Sequence, residues 1–449
     1  MITYEKIENL KNIILGEELL KRARRKKEFF TRERKITFSD IVYFTLNKRG
    51  LSLKMEMSNF EDMTGKIGNA SESALCQQRQ KVDPVAFKIL NKEYIKNSYE
   101  NEKNYKTLKG YVVTAIDGMY LEVPDVKELR EEYGTSTGHG DQRKIARALS
   151  SCLYDVINNW VINAEITKNT ESERTLAKHH IIELADIYAE LNKEKKMEKT
   201  IIIFDRGYPS VEMIYTLQKH RIKYLFRGRK DSFRKEFENM KSKDEIIDAE
   251  ITRKRLERIK DKKIKNEIKE QGALRNRFVK YRLKTGEEEM LITNLSKEEF
   301  STQEIGELYY ERWKIELAYN VAKNKLDIQN FSGQSKTIVE QEFYAQMLMM
   351  NIAEDLRKEA NKKVDRGIEN GYKYDYKVNM NILIGLMRKR FILIMISMTI
   401  NGDEKSKKDY DNLIEEMSKN IIPIRPERSN PRNKYKGYNK YKQNLRRNS

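Results

Sequence analysis

Four polar residues in one segment have the types and spacing of a site rather than of a solvated surface. The segment "YYERWKIELAYNVAKNKL" (309–326) contains Tyr309, Arg312, Glu316 and Lys323. On a helix with about 100° per residue, these four lie within roughly 60° of one another. A second polar stripe lies nearly opposite and consists of Glu307, Glu311, Lys314 and Lys325. Because a surface helix needs only one solvent-facing stripe, the first stripe is predicted to face a site inside the protein.

Two aspartates come directly after apolar, strand-like runs. Asp117 follows 111–116 in "GYVVTAIDGMYLEVPD", and Asp205 follows 200–204 in "TIIIFDRGYPS". Either aspartate alone is typical of a turn or a helix cap. Open α/β sheets, however, place their sites at the carboxyl ends of strands, so aspartates on neighbouring strands point into one crevice. Glu316, on a helix packed against that sheet, is predicted to complete the cluster, with Asp327 as the reserve candidate.

Three carboxylates of this kind are suited to divalent cations and phosphodiester chemistry. Two metal ions roughly 4 Å apart activate the attacking oxygen and stabilise the leaving one, and carboxylates hold them against their mutual repulsion. Oxygen ligands suit Mg²⁺, with Mn²⁺ as a substitute. The cations Arg312 and Lys323 and the Tyr309 hydroxyl would then hold phosphates. The alternative is an exposed Arg312–Glu316 ion pair worth about 0.3–0.5 kcal/mol.

The composition favours a nucleic-acid partner. The 449 residues include 89 Lys and Arg against 69 Asp and Glu, a net charge of +20, and the mean hydropathy is −0.80. Such a charge favours a polyanion, and nucleic acid is preferred over an anionic membrane. The apolar run 391–400 is too short to span a bilayer, and residues 1–20 lack a secretory signal, which predicts a cytoplasmic protein without a membrane partner.

The cysteines and histidines give no support to a zinc site. Cys76 and Cys152 are far apart in sequence and are both interpreted as small buried hydrophobes. The four histidines lack metal-ligand spacing, and His179 and His180 are assigned to a helix surface.

The terminal regions add candidate DNA contacts. Residues 1–101 read as helical, with a weak helix-turn-helix pattern around Gly65 and Gly68 and a helix capped by Ser71. Arg79 and Lys81 would contact phosphates, and a plain helical support domain is the alternative. The end, "IRPERSNPRNKYKGYNKYKQNLRRNS", has nine Lys or Arg and one acidic residue, interleaved with tyrosines. It is predicted to be disordered alone and to bind DNA, a solubilising tail being the alternative.

The spacing of the stripe carries a resemblance to a known family. Tyr309, two residues, Arg312, three, Glu316, six, and Lys323 resemble the Tyr-Arg-Glu-Lys signature of the insertion-sequence-four family of DDE transposases. "AIDGMY" and "FDRGYPS" are similar to the contexts of that family's two catalytic aspartates, and "VKYRLKTGEEEMLITNL" resembles the strands that close its β-rich insertion. The similarity extends from about residue 29 to the end.

The resemblance implies an α/β fold with an interrupted RNase H-like core. Its parts would be a helical N-terminal DNA-binding domain (1–101), core (102–218), β-rich insertion (219–298), core (299–375), and a helical C-terminal region with a basic tail (376–449). Asp117 would lie on the first strand, Asp205 after the fourth, and both would bind Mg²⁺ with Glu316. Tyr309, Arg312 and Lys323 would hold transposon-end DNA. Some relatives stack a flipped base on a tryptophan of the insertion, but Trp160 and Trp313 lie outside it, and Trp313 is assigned to core packing.

The resulting functional prediction is a transposase. It would be a bacterial, nucleoid-associated enzyme that cleaves the terminal inverted repeats of an insertion sequence and transfers the 3′ ends to target DNA. A homodimer on double-stranded DNA is expected because two ends must be processed together. The alternatives are a metal-dependent endonuclease without strand transfer, and a non-catalytic basic DNA-binding protein.

Overall fold

A computed structural model describes residues 3–32, 34–67, 70–137, 143–229, 233–283, 286–364, 371, 373–400 and 403–425. Its helices are α1 (Thr3–Leu15), α2 (Glu17–Ala23), α3 (Phe38–Leu46), α4 (Leu53–Thr64), α5 (Glu72–Arg79), α6 (Val85–Tyr99), α7 (Lys127–Tyr133), α8 (Glu173–Glu190), α9 (Val211–Lys219), α10 (Arg234–Glu238), α11 (Arg253–Glu257), α12 (Lys262–Gln271), α13 (Thr302–Tyr310), α14 (Trp313–Asn324), α15 (Lys336–Lys362), α16 (Met380–Ile400) and α17 (Asp403–Lys419). Short 3₁₀ turns cover Glu102–Asn104 and Glu194–Lys199.

A large mixed sheet organises the molecule. Its strands are β1 (Val112–Glu122), β2 (Thr135–Thr137), β3 (Lys144–Asp155), β4 (Trp160–Lys168), β5 (Thr200–Phe204), β6 (Lys223–Arg227), β7 (Asp244–Glu250), β8 (Ala273–Arg282) and β9 (Glu288–Thr293). The spatial order is β2-β3-β1-β5-β6-β9-β8-β7, with β4 paired to β3. β1, β5 and β6 run parallel to one another, and the remaining neighbours are antiparallel. β10 (Tyr376–Val378) and β11 (Ile421–Pro423) form a separate pair.

Helices cover both faces of the sheet, as the alternation of buried residues requires. On one face Val112 and Ile116 of β1 share an apolar cluster with α8 and α9. On the other face Val113 and Ala115 join a cluster that contains residues of α14, α15 and the N- and C-terminal helices. Alternation therefore places Asp117 on the α14 face of the sheet.

The predicted strands and turns agree with the structure in most places, with one important difference. The hairpin β3–β4 turns at Asn158 and Asn159, where Asn159 has a φ of 59°, and β5 covers the predicted run. Asp117, however, does not end its strand, because β1 continues to Glu122 and pairs with β3 along that length. Asp205 follows the fifth strand of the chain rather than the fourth, since the short β2 precedes β3.

The region predicted as a β-rich insertion continues the central sheet. β6 pairs in parallel with β5, and β9, β8 and β7 extend the same sheet outward. The charged pattern of "RIKDKKIKNEIKEQ" is compatible with a helix, and the segment contains α12. The alternating pattern of "DAEITRKRL" predicts a strand, but only its first residues belong to β7, and α11 follows, capped by Thr252.

The N-terminal helices are joined to the rest of the protein by buried polar contacts. Asp355 of α15 accepts hydrogen bonds from Lys6 (2.8 Å), Tyr94 (2.8 Å) and Trp160 (2.7 Å). Ser71 caps α5 as predicted, by accepting from the backbone N–H of Ala74. The exposed positions of α5 are Glu72, Ser73, Cys76 and Gln77. The exposed face of α5 therefore presents no cation to DNA. Gly68, part of the predicted helix-turn-helix pattern, lies outside the described residues.

Two sequence-based assignments of single side chains, those of Cys76 and His180, need correction. Cys152 is buried as expected, but Cys76 is exposed. His179 is exposed, whereas His180 is fully buried in the α8 face of the sheet, where it contacts Ser151.

In the described part of the chain, no helix has the length and apolar character needed to cross a bilayer. The predicted DNA-binding tail falls almost entirely outside the described residues.

Candidate active site

The two aspartates lie at the same level on neighbouring strands. The parallel pairing of β1 and β5 ends at Ile116 opposite Phe204, so Asp117 and Asp205 are the next residues on each strand. β5 stops there, and Asp205 accepts a hydrogen bond from the N–H of Gly207 (2.6 Å), which turns the chain away. A crevice opens beside β1 because that strand continues without its parallel neighbour.

The helical segment that carries the third carboxylate is packed against β1. Ser301 starts α13 with a capping box formed with Glu304. The predicted single helix is interrupted at Glu311 and Arg312, where the backbone hydrogen bonds tighten to i−3 partners before α14 begins. Tyr319 of α14 donates its hydroxyl hydrogen to the carbonyl of Asp117 at 2.5 Å. This contact fixes the helix directly against the strand that bears the first aspartate.

Apolar residues lie on both sides of the stripe that carries Glu316, and only one of these two groups is buried. Leu308, Ile315, Ala322 and Leu326 form the buried flank. Tyr310 (56% exposed) and Leu317 (52% exposed) of the other flank face outward. Trp313 is 44% exposed and lines the site cavity, so its assignment to core packing was wrong.

Arg312 connects two of the predicted catalytic carboxylates. Its guanidinium donates to Glu316 at 2.8 Å and lies 3.6 Å from the carboxylate of Asp117. A cavity of about 340 Å³ is lined by Asp205, Arg206, Arg227, Tyr309, Arg312, Trp313 and Glu316, and Asp117 lies beside it through its contact with Arg312. The structure thus brings Asp117, Asp205 and Glu316 to one place, with a cation between two of them.

The electrostatics of the site show an excess of buried negative charge. Burial, with smaller contributions from the Asp205 and Glu173 carboxylates, raises the pKa of Asp117 to about 7 against the lowering effect of Arg312. The Arg312 guanidinium is shared by Asp117 and Glu316, which leaves the repulsion between Asp117 and Asp205 only partly compensated. A further cation would relieve that repulsion.

Tyr309 presents an unused hydroxyl at this cavity. The residue is 8% exposed, and its hydroxyl oxygen has no hydrogen-bond partner among the described residues. Burial raises its pKa to about 12, with Arg312 and Arg227 opposing, so the hydroxyl is protonated and available as a donor. An unpaired buried donor is unfavourable unless a ligand satisfies it.

Lys323 of α14 contacts β1 at a point beyond Asp117. Its ammonium donates to the carbonyl of Tyr120 at 3.0 Å. Burial lowers its pKa, Arg147 lowers it further, and Glu122 opposes both. Lys323 and Arg147 therefore form a cationic area beside the cavity rather than inside it.

Three other candidates lie away from this site. Arg79 is 2% exposed and is paired with Glu342 at 2.9 Å, so the prediction that it contacts DNA phosphate is wrong because its guanidinium is sealed in the interior. Lys81 is half-buried and donates to Gln78 at 3.2 Å, outside the site cavity. Asp327 follows α14 with a φ of 51° and lies near Gly50 and Arg388, so it does not replace Glu316.

The donor set fits divalent cations in its chemistry, but not in its present side-chain positions. Among the described residues, no three carboxylate, histidine or cysteine groups converge as a formed metal site. The reason is visible at Arg312, whose guanidinium takes the position between Asp117 and Glu316 that a cation would need. The carboxylate oxygens of Asp117, Asp205 and Glu316 are of the type that Mg²⁺ and Mn²⁺ prefer.

Sequence reasoning missed several residues of this region. Glu173, Tyr208 and Tyr319 all surround the aspartates. Glu173 starts α8, where an acidic residue is ordinarily explained by the helix dipole, so no pattern in the sequence singles it out. Tyr208 lies in the segment "FDRGYPS" that follows Asp205, but this segment does not by itself assign a role to the tyrosine.

Comparisons with known proteins identify the relationship. The transposase InsG for insertion sequence element IS4 of Escherichia coli (strain K12) is 22% identical over 287 residues, which cover 62% of this chain and 60% of that protein. The solved structure of a piggyBac transposase synaptic complex with hairpin DNA has a TM-score of 0.43 and 9% identity, covering 90% of this chain and 84% of that one. The family described as transposase DDE domain matches residues 108–352. That match spans more than half of the chain, which therefore belongs to the family of transposases with a DDE domain.

Proposed function

We propose that this protein is a DNA transposase that cleaves at the ends of an insertion sequence and transfers the 3′ ends to target DNA. Asp117, Asp205 and Glu316 are the catalytic carboxylates. The observation that carries the proposal is the meeting of two strands and a helix that are distant in sequence: Asp117 lies level with Asp205, and Arg312 contacts both Asp117 and Glu316. An exposed structural ion pair would not need two aspartates at the same level on adjacent strands.

The strand order supports an RNase H-like core for this site. The run β4-β3-β1 is antiparallel, and β5 and β6 continue parallel to β1. α8 packs on one face and α14 with α15 on the other. Under this proposal the core contains β6, and the inserted part begins after Arg227 rather than at residue 219.

Divalent ions, when bound, would activate the attacking oxygen and stabilise the leaving one. The chain's residues would hold Mg²⁺, or Mn²⁺, through Asp117, Asp205 and Glu316. In the first step, water attacks the phosphodiester at the element end and the bond from phosphorus to the 3′ oxygen breaks. The freed 3′ hydroxyl then attacks a target phosphodiester and displaces its 3′ oxygen, so one ester bond replaces another.

The remaining residues of the cavity would position DNA. Arg206 is exposed and Arg227 lines the same cavity, so both can reach a phosphate. The Tyr309 hydroxyl would find its missing acceptor in a phosphate oxygen. Arg312 would move from the carboxylates to DNA when metal ions enter, which converts an internal ion pair into a phosphate contact. Double-stranded DNA and a second copy of the chain are the proposed partners, because two ends must be joined together.

The test is cleavage of a supercoiled plasmid that carries the DNA flanking the gene, with Mg²⁺, with Ca²⁺, and without metal. Asp117→Asn, Asp205→Asn and Glu316→Gln are each expected to lower the cleavage rate at least 10³-fold while end binding is retained. Full activity in any one variant would remove that residue from the site.

Asp327→Asn is the matched control, since it lies outside the cavity and asparagine tolerates its positive φ. It is expected to cleave like the wild type. Analysis of the products separates the alternatives. Joined products support transposition, cleavage without joining supports an endonuclease, and binding without cleavage in every condition supports a non-catalytic DNA-binding protein.

A further inference from the structure

We propose that Glu173 is a fourth metal-binding carboxylate of this site, contributed by the opposite face of the sheet. This inference rests on the proposed function and adds a residue to it. Glu173 is the first residue of α8, and its side chain crosses toward the two aspartates past Gly118 and Gly207.

The two glycines make this approach possible. A β-carbon at Gly118 would lie 2.5 Å from Oε1 of Glu173, a separation that real contacts do not show. A β-carbon at Gly207 would lie 2.9 Å from Oδ1 of Asp205 and 3.9 Å from Oε2 of Glu173. Neither glycine has a positive φ, so the backbone conformation does not require glycine at either position. The lack of a side chain is what keeps the space for the carboxylates.

The start of α8 is held firmly in this position. Arg174 donates to the carbonyl of Gly207 at 3.1 Å from Nε and 2.8 Å from Nη2. Lys178, one turn later, pairs with Glu212 of α9 at 2.6 Å. The helix is therefore fixed to the loop that follows Asp205, and Glu173 is placed by this attachment and not by a partner of its own. Glu173 has no hydrogen bond or ion pair with any residue that the structure describes.

The charge around Glu173 is uncompensated. Burial, and then the Asp205 carboxylate, raise the pKa of Glu173. The cation of the site, Arg312, is engaged with Glu316 and Asp117. Arg312 thus compensates Asp117, whereas Glu173 lies near Asp205 without an ion-pair partner among the described residues.

A second, independent feature indicates that a polar ligand belongs at this point. Tyr208 is fully buried, and its hydroxyl has no hydrogen-bond partner within the described ranges. Burial raises its pKa well above the usual value, and the charged groups that act on it next are Glu173, Asp117 and Asp205. A hydroxyl left without a partner among carboxylates indicates a ligand or its water that is bound in the working enzyme.

The experiment titrates the full-length protein with Mn²⁺ in the absence of DNA and counts bound ions by electron paramagnetic resonance. Glu173→Gln is expected to weaken Mn²⁺ binding at least tenfold or to remove one bound ion. Gly118→Ala is expected to have the same effect, although it removes no carboxylate. Glu171→Gln is the control, because Glu171 is exposed two residues before Glu173 and is expected to bind Mn²⁺ like the wild type.

Thermal unfolding with and without metal distinguishes a metal ligand from a purely structural residue. Without metal, Glu173→Gln is expected to raise the melting temperature, since it removes an unpaired, partly buried negative charge. With saturating Mn²⁺ it is expected to gain less stability than the wild type. A lower melting temperature without metal together with unchanged Mn²⁺ binding would overturn the proposal.

The outcomes separate this proposal from the function on which it rests. If Asp117→Asn and Asp205→Asn lose Mn²⁺ binding and cleavage while Glu173→Gln keeps both, the three-carboxylate site stands and Glu173 is not part of it. If all of these variants bind Mn²⁺ and cleave like the wild type, the proposed function itself fails.

Discussion

The Tyr309 hydroxyl is expected to contribute to DNA binding and not to the stability of the fold. Because this buried hydroxyl lacks a partner, Tyr309→Phe is expected to leave the free energy of unfolding unchanged or to increase it by up to about 1 kcal/mol. The same variant is expected to bind element-end DNA about fivefold more weakly, because a hydrogen bond to phosphate is lost. Chemical denaturation and a DNA-binding titration measure the two effects.

Tyr319→Phe serves as the comparison for Tyr309→Phe. The Tyr319 hydroxyl is also buried, but it donates to the carbonyl of Asp117. Its removal is expected to destabilise the protein by about 1 kcal/mol. If Tyr309→Phe were destabilised to the same degree and bound DNA normally, the role assigned to its hydroxyl would be wrong.

Helix α15 is tied to the N-terminal helices by a buried charge cluster. Glu342 is 1% exposed, forms an ion pair with Lys48 (2.8 Å) and accepts a hydrogen bond from Arg79 (2.9 Å). Burial would raise the pKa of Glu342, but the two cations outweigh it and lower the pKa to about 2. Since the folded pKa is depressed, the stabilisation is complete above about pH 4.5 and is lost as the pH falls through about 2.

Glu342→Gln is therefore expected to lower the free energy of unfolding by about 3–5 kcal/mol at pH 7, because two buried cations lose their partner. The control is Glu340→Gln, at a residue on the same helix and 3.9 Å from Lys336, which is expected to change the free energy of unfolding by less than about 1 kcal/mol.

Arg79→Met is expected to destabilise the protein without changing the salt dependence of DNA binding. A shallower salt dependence in this variant would restore Arg79 as a phosphate contact.

Helix α8 contains a group that makes stability depend on pH. His180 is fully buried, and its Nε2 lies 3.0 Å from the Ser151 hydroxyl, which in turn donates to the carbonyl of Asp117. Nε2 therefore donates to Ser151 and the ring is neutral. Burial, with His179 and Lys88 adding to it, lowers the pKa of His180 to about 3. Between about pH 3 and 6.5 the unfolded chain binds the extra proton, so stability falls as the pH falls.

For one such group the expected loss between pH 7 and pH 5 is about 2 kcal/mol. His180→Gln keeps a donor toward Ser151 and does not titrate, so this variant is expected to lose about 2 kcal/mol less over the same range. Urea unfolding at the two pH values measures the difference. Equal pH dependence in the two proteins would show that another group is responsible.

The sequence predicted elements better than it predicted their edges and their partners. The strand β5, the hairpin β3–β4 and the helix α8 follow from local pattern, because alternation and periodicity are local properties. The true end of β1 depends on its pairing with β3, and the burial of Arg79 and His180 depends on distant helices and strands. Glu173 was missed for the same reason, since only the fold brings the start of α8 to Gly118.

The whole molecule combines a core that is continuous in space with a charge that is strongly positive. One apolar cluster includes residues from α1 to α17, so the terminal helices pack on the sheet that bears the aspartates. The net charge is +20, and some of the cations are exposed on the surface, as Arg206 at the cavity is. A protein of this kind is expected to bind DNA first through phosphates and to place the scissile bond second.

The basic tail is expected to supply part of that phosphate binding. Beyond Arg425 it contains eight basic residues, Arg428, Arg432, Lys434, Lys436, Lys440, Lys442, Arg446 and Arg447. The structure decides where the chain should be cut to test this. A cut after Ile422 would remove Pro423, which pairs with Tyr376, and the N–H of Ile424, which donates to Asp375. A cut after Arg425 keeps both contacts.

The affinity for element-end DNA should therefore be measured against salt for the full chain and for a chain ending at Arg425. Each neutralised phosphate contributes about 0.9 to the slope of log affinity against log salt, so four tail contacts would make the full chain steeper by about 3–4. A full-length variant with the eight basic residues changed to glutamine should match the shortened chain, because charge and not length sets the slope.

Changing Tyr435, Tyr438 and Tyr441 to serine should lower the affinity at every salt concentration without altering the slope, since stacking releases no counterions. Equal slopes for the full and shortened chains would show that the phosphates are held by the folded body alone, and the cations around the cavity would then have to account for all of them.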